Sequence, residues 1–267
     1  MTLFRGWPAD DIAALKRTLG VSVGAIAVTT VALETPPLIK FPFAISNPKA
    51  IFYLVPQAFV LAVPMGFTVG VFYGMRGRIV SLRSRGVVLA SAIVVSFATL
   101  AALAWILPWT NQEFRQVVFR HGNDGGVVMK GVNELTLSEL SERIDAYRRN
   151  GVAGRDREVL DSDPRELAYS YHQRLALSCA TVVLAVFALV MAQRMATQWA
   201  VGLGALGTLL IYYVLLWTGR TGVLQHGLPA FVGAWLPNAA FALVWLALMA
   251  VTPRGQRAGL NASRKDA

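Results

Sequence analysis

The sequence predicts an all-α membrane protein with six transmembrane helices, and three observations carry that expectation. Five stretches of nineteen or more residues contain no charged side chain, among them Ala50–Met75, Gly86–Gln112 and Met195–Gly219. At ~1.5 Å per residue, such runs cross a hydrocarbon core of ~30 Å, and hydrocarbon offers backbone polar groups no partner outside the helix. Of the 267 residues, 55% are hydrophobic and 15% charged, with a mean hydropathy of +0.51, which lies outside the globular range. The arginines stand in the gaps between apolar runs. Gathered on one face, a net charge of +10 would point to nucleic acid. Spread over run ends it anchors and orients helices, so no nucleic-acid partner is expected.

In chain order the spans are Thr18–Leu33, Ile51–Tyr73, Val87–Trp109, Leu175–Gln193, Trp199–Trp217 and Leu228–Val251. The first is short. Sixteen uncharged residues reach only about 24 Å, so the helix must either run on through Glu34 towards Pro36 and Pro37 or let Lys16 and Arg17 snorkel. Arg5, Lys16 and Arg17 precede it as in a signal peptide, but no small-x-small cleavage site before Glu34 is convincing and further apolar runs follow, so an uncleaved first helix is expected. Twelve basic residues (Arg5, Lys16, Arg17, Arg76, Arg78, Arg83, Arg85, Arg194, Arg254, Arg257, Arg264 and Lys265) fall on one side of six spans. The two short loops opposite hold Lys40, Lys49 and Arg220. Positive charge favours the cytoplasm, which places both termini there. Trp105, Trp109, Trp199, Trp217 and Trp235 lie at span ends or in the aromatic-rich last span, as interfacial anchors do. The chain thus divides into a three-helix half (1–110), an extracytoplasmic segment (111–173), a second three-helix half (174–252) and a basic cytoplasmic tail (253–267).

The extracytoplasmic segment carries eleven acids and nine bases. Phe114–Phe119 and Val127–Met129, around the turn His121–Gly126, read as a short β-hairpin. A helix follows. Thr136 and Glu139 form a capping box, Leu137, Leu140, Ile144 and Tyr147 share a face, Arg148 and Arg149 sit near its negative end, and Gly151 ends it. Asp163-Pro164 supplies an N-cap and first-turn proline for another helix, placed to run straight into span four.

No catalytic group stands out. His121, His172 and His226 are scattered, and no phosphate loop or zinc-ligand spacing exists. Cys179 is the single cysteine, so no intrachain disulfide can form. Neither a cofactor nor an enzymatic role is expected. Glu34 is an odd acid for its position: it either pairs with Lys40 or Arg220, or lies just outside the membrane.

Several elements of the second half occur together in a known order. They are Leu137–Leu140 with Arg148–Gly151, Arg174–Leu177 opening span four, and Gly202, Gly204 and Gly207 followed by Tyr212, Tyr213 and Gly219 on span five. Leu228-Pro229, Ala234–Asn238 and Phe241 complete the set on span six. From Leu137 to Met249 this pattern resembles the LptF/LptG permeases that export lipopolysaccharide. The first half is similar more loosely, through Pro56 and Pro64, the segment ending in Gly86, and Pro108 followed by Asn111. The resemblance implies a permease subunit of an ABC-type exporter in the bacterial inner membrane. It would move lipopolysaccharide or a related lipid towards the outer membrane with a second permease of the same family, and a separate cytoplasmic ABC ATPase would hydrolyse ATP. It also implies a large jelly-roll domain between spans three and four. Only about 60 residues fill that place, too few for eight strands. Arg78 stands near the glutamate of the family's coupling segment, and Ser178 replaces the proline common at the start of span four. A non-transporting scaffold or regulatory paralogue is therefore the alternative reading.

The resemblance singles out three sets of residues. Arg78, Ile79, Leu82, Arg83 and Gly86 would form a helix that couples to the ATPase, or else a basic loop that binds anionic headgroups. Lys40, Lys49 and Arg174 would meet lipid phosphates, or else act as plain interfacial anchors. Gly202, Gly204 and Gly207 would let helices approach closely. Pro237 would kink span six, with Asn238 satisfying a freed carbonyl or bonding across helices.

Overall fold

A computed structural model describes residues 7–40, 48–77, 81–121, 131–150, 163–195 and 197–251. The helices are α1 (Ala9–Lys40), α2 (Pro48–Gly74), α3 (Leu82–Ala101), α4 (Leu107–His121), α5 (Leu137–Asn150), α6 (Pro164–Arg194), α7 (Gln198–His226) and α8 (Ala230–Val251). A π turn, Ala102–Ile106, joins α3 to α4, and a 3-10 turn, Val132–Glu134, precedes α5. Six helical stretches are long and apolar enough to cross a membrane, with α3 and α4 counted as one. The chain is a multi-pass membrane protein.

Local chemistry sets the helix ends. Ser81 caps α3 by accepting from the Ser84 amide at 3.2 Å. Thr197 caps α7 by accepting from Ala200 at the same distance. The capping box on α5 is formed from both sides: the Thr136 amide donates to Glu139 at 2.7 Å and the Glu139 amide to Thr136 Oγ1 at 3.2 Å. Asp163 accepts from the Arg165 amide at 2.8 Å, Pro164 occupies the first turn, and α6 continues unbroken into span four. Gly227, at φ 71°, ends α7 in the left-handed conformation that a glycine adopts without penalty.

One open alternative is decided and one expectation changes. The first span takes the longer of its two expected courses: α1 runs on through Glu34 to Lys40, and its 32 residues extend ~48 Å. The first strand of the expected hairpin, Phe114–Phe119, is helical and belongs to α4; Val127–Met129 lies outside the described residues. The reason is tertiary. Asn111 and Arg115, one turn apart on α4, both grip the 3-10 turn. Asn111 Nδ2 donates to the Asn133 carbonyl at 3.1 Å, and Arg115 Nε pairs with Glu134 at 2.5 Å. Those bonds hold the helix against the β propensity of its Phe and Val residues.

α6 sits at the centre and packs against α2, α3, α7 and α8. Leu184, Ala188 and Ala192 of α6 are buried together with Val71 and Phe72 of α2 and Met75 just beyond its end. α1 lies along α2 on a stripe of glycines: side chains added at Gly66, Gly70 and Gly74 would strike Ile26, Ser22 and Thr18 in turn. α7 crosses α8 where Gly219 meets the main chain of Gly233. The Gly233 carbonyl is the one that Pro237, four residues on and without an N–H, leaves free.

The bundle has two distinct ends. At the base, Asp11 of α1 accepts from Ser81 before α3, Arg85 of α3 donates to Gln193 of α6 at 3.2 Å, and Arg194 donates to the Leu248 carbonyl of α8 at 3.0 Å. The first helix starts and the last helix finishes at this same end. At the top lie the 3-10 turn, α5 and the start of α6.

Candidate functional site

A cavity of about 500 Å³ opens between α1, α2, α6 and α7. Helix direction orders its lining. Gln57, Tyr169, Gln173, Trp217 and Arg220 lie towards the top, whereas Met65, Leu177, Leu184 and Tyr212 lie deeper. The polarity therefore falls from the rim inwards, as an amphiphile with a polar head and an apolar tail requires. At the rim Arg220 pairs with Glu166 at 3.3 Å, with both side chains substantially exposed. The Tyr169 hydroxyl donates to the Leu216 carbonyl, also at 3.3 Å, tying α6 to α7. Such an exposed ion pair contributes little stability, so Arg220 can turn to another anion at small cost.

Arg174, expected near lipid phosphates or at an interface, is instead buried at 5% exposure. Its guanidinium donates to three carbonyls: Leu135 at 2.5 Å, Val132 at 3.2 Å and Leu103 at 3.4 Å. The local sequence explains the last of these. In the π turn the carbonyl of Leu103 would look to the amide of residue 108, which is a proline. Arg174 supplies the missing donor and joins span three, the 3-10 turn and span four in one contact. Lys40 ends α1 and Lys49 lies exposed in the first turn of α2, both at the top. The cation that lines the cavity is Arg220, which loop charge alone did not single out. Glu34 is buried on α1 against the Ala58 main chain, while Arg220 is engaged by Glu166.

The base presents the other expected set. Arg78 and Ile79 lie outside the described residues. Leu82 is 84% exposed, an unusual setting for leucine in the first turn of a helix. Arg83 and Gly86 are exposed beside it. The Arg83 guanidinium lies over the Trp7 ring, 5.9 Å from its centroid.

The expected packing residues divide. Gly202 faces the Tyr73 hydroxyl and Gly204 the Met195 side chain, whereas Gly207 faces open space. Asn238 bonds across helices: its Nδ2 donates to the Ala176 carbonyl at 2.7 Å, and its Oδ1 accepts from the Tyr212 hydroxyl at 3.2 Å. One amide thereby joins α6, α7 and α8. The tighter approaches are Gly219 with Gly233 and the stripe Gly66, Gly70, Gly74. That stripe was readable in the sequence as small residues at every fourth position. Among the described residues no group of histidine, cysteine and acidic side chains has metal-holding geometry.

Residues 119–250 match the family model described as Lipopolysaccharide export system permease LptF/LptG. The match runs from the last turn of α4 to the end of α8 and takes in the whole of spans four to six. No curated protein matches the chain.

Proposed function

Because residues 119–250 match the LptF/LptG permease family model, we propose that the chain is one permease subunit of an ABC-type exporter for lipopolysaccharide or a related lipid. The family's proteins are transporter permeases rather than enzymes, and they work with a partner permease and an ATPase. The cavity carries the reading for this chain: it is apolar within and polar at the rim, and helices that turn apolar faces outward flank it. Leu19, Val23, Val28 and Val31 of α1 and Leu203, Leu206, Leu210 and Val214 of α7 are all exposed. A second permease packed on those faces would enclose the cargo from the open side. Gln57, Gln173 and Arg220 would then meet the headgroup and the deeper wall its acyl chains, with Lys40 and Lys49 at the same level.

The base would lie in the cytoplasm, as its arginines favour. There the turn that carries Leu82, Arg83 and Gly86, with Arg78 and Ile79 before it, would dock on the ATPase. ATP hydrolysis in that partner would drive the cavity closed, and this chain would hold no cofactor of its own. Arg174 would act by fixing the top of the bundle. The membrane would be the bacterial inner membrane.

The short outer segment favours a second reading, a scaffold or regulatory paralogue that binds the same partners without moving lipid. Between the end of α4 and the start of α6 there is no room for a jelly roll of eight strands. Purification of the tagged chain in mild detergent from native membranes tests both. A co-purifying ATPase whose activity rises with lipopolysaccharide supports the exporter. An ATPase indifferent to lipid supports the scaffold, and neither partner nor lipid across several detergents refutes both.

A further inference from the structure

The first turn of α1 is fastened to the segment read above as facing the ATPase, by contacts that α1 does not need in order to cross a membrane. Asp11 is buried at 7% exposure. Its carboxylate accepts the Ser81 hydroxyl, while the same Ser81 oxygen accepts the Ser84 amide that starts α3. One turn on, Ala14 packs into the core beside Met75 and Val88. Before the helix, Trp7 lies under the Arg83 guanidinium. The far end of the same uninterrupted helix carries Leu33, which walls the cavity, and the buried Glu34. From Asp11 to Leu33 the rod is ~33 Å long.

We infer that Asp11, with Trp7, is a positioning residue that links the start of α3 to the cavity wall through α1. The inference rests on the exporter reading for its role, but the linkage is a property of this chain alone. A displacement of Ser81–Arg83 must either break the Asp11 contact or carry the base of α1 with it. α1 is a rod without a break, seated on α2 along the smooth stripe of Gly66, Gly70 and Gly74. Movement at its base therefore reaches Leu33. This is the small sliding of one packed helix past another by which local events become changes at a distant site. α6 is tied into the same region, because Arg85 donates to Gln193 and the Gly77 amide to the Ala192 carbonyl at 3.0 Å.

The test uses the full chain in nanodiscs with whatever ATPase co-purifies. Asp11→Ala removes the clasp and leaves Ser81 to cap α3. The exchanged pair Asp11→Ser with Ser81→Asp restores the bond with donor and acceptor reversed, and aspartate is as good a cap as serine. Amide hydrogen exchange is expected to quicken about tenfold in Asp11→Ala, both at 81–86 and at the distant peptide 30–36, the equivalent of one charge-assisted hydrogen bond. The exchanged pair should return both to the parent value. In the ATPase complex, lipid released per ATP should fall about threefold or more while hydrolysis stays within about twofold. Quickened exchange confined to the neighbourhood of 7–15 and 81–86 would make Asp11 a local clip and overturn the inference, as would an exchanged pair that rescues nothing. If no ATPase co-purifies, the export reading fails and the coupling role with it. The exchange pattern at 30–36 still decides the linkage.

Discussion

The two ends of this bundle are held together by different chemistry. At the top a buried arginine feeds three main-chain carbonyls from two segments, and an ion pair, Arg115 with the buried Glu134, backs it. At the base the ties are single contacts, and all but the buried Asp11 carboxylate involve partly exposed side chains: Asp11 with Ser81, Arg85 with Gln193, Arg194 with Leu248 and Trp7 with Arg83. A buried cation with multiple acceptors has essentially one arrangement, because any other strands polar groups in an apolar place. Single half-exposed bonds exchange readily with water. The top is thus built as a fixed mouth for the cavity, and the base as the end that can move.

Substitutions can break this contrast, and the largest effect should come from the top. Arg174→Leu takes the guanidinium from three carbonyls, of which Val132 keeps the Leu135 amide, and should cost about 3 kcal/mol or more in thermal melts in detergent. Arg174→Lys should recover only part, because an ammonium cannot span carbonyls set for a planar fork. Next, Gly219→Leu drives a side chain into the Gly233 main chain, with an expected loss of about 1–3 kcal/mol. Asn238→Leu removes the bonds to Ala176 and Tyr212 and should cost about 1–2 kcal/mol, since hydrogen bonds between membrane helices are individually modest. Smallest are two substitutions that sharpen the comparison. Arg85→Ala, at the base, should change the melting point by the equivalent of about 0.5 kcal/mol or less, because its Nε is already without a partner. Gly207→Ala meets nothing within 4 Å and should stabilise α7 by up to about 1 kcal/mol through helix propensity. Equal losses from Arg174→Leu and Arg85→Ala would erase the distinction between the ends.

Five of the six spans were legible because charge-free length is a property of sequence alone, whereas the first, whose charges fall inside its helix, showed only its middle; the caps at Thr136 and Asp163 were legible too, because donor and acceptor lie within a few residues. The helix at Phe114–Phe119 was not, because its supports, Asn133 and Glu134, are distant in sequence from Asn111 and Arg115. Arg174 shows the same limit more sharply. Its role follows from the proline at 108, a π turn around Leu103 and a loop arriving at Leu135, none of which an arginine beside tyrosines announces. The packing glycines carry the opposite lesson. Gly202, Gly204 and Gly207 are spaced by two and three residues and so spread around the helix, whereas Gly66, Gly70 and Gly74 recur every fourth residue and make one seam. That period was present in the sequence, and spacing rather than glycine number decides which helix face closes on a neighbour. The rim cation Arg220 was visible too, but its membership of the cavity depends on the crossing of α6 with α7.

The central claim is that the cavity between α1, α2, α6 and α7 holds a lipid cargo. It is tested most directly by placing a photo-crosslinking residue at Leu61, which lines the cavity, and at Leu243, 65% exposed on the outward face of α8. Illumination of native membranes should yield a lipopolysaccharide-type adduct at Leu61 and none at Leu243. Adducts equal at both positions, or absent from Leu61 while the protein is folded and abundant, would contradict the account.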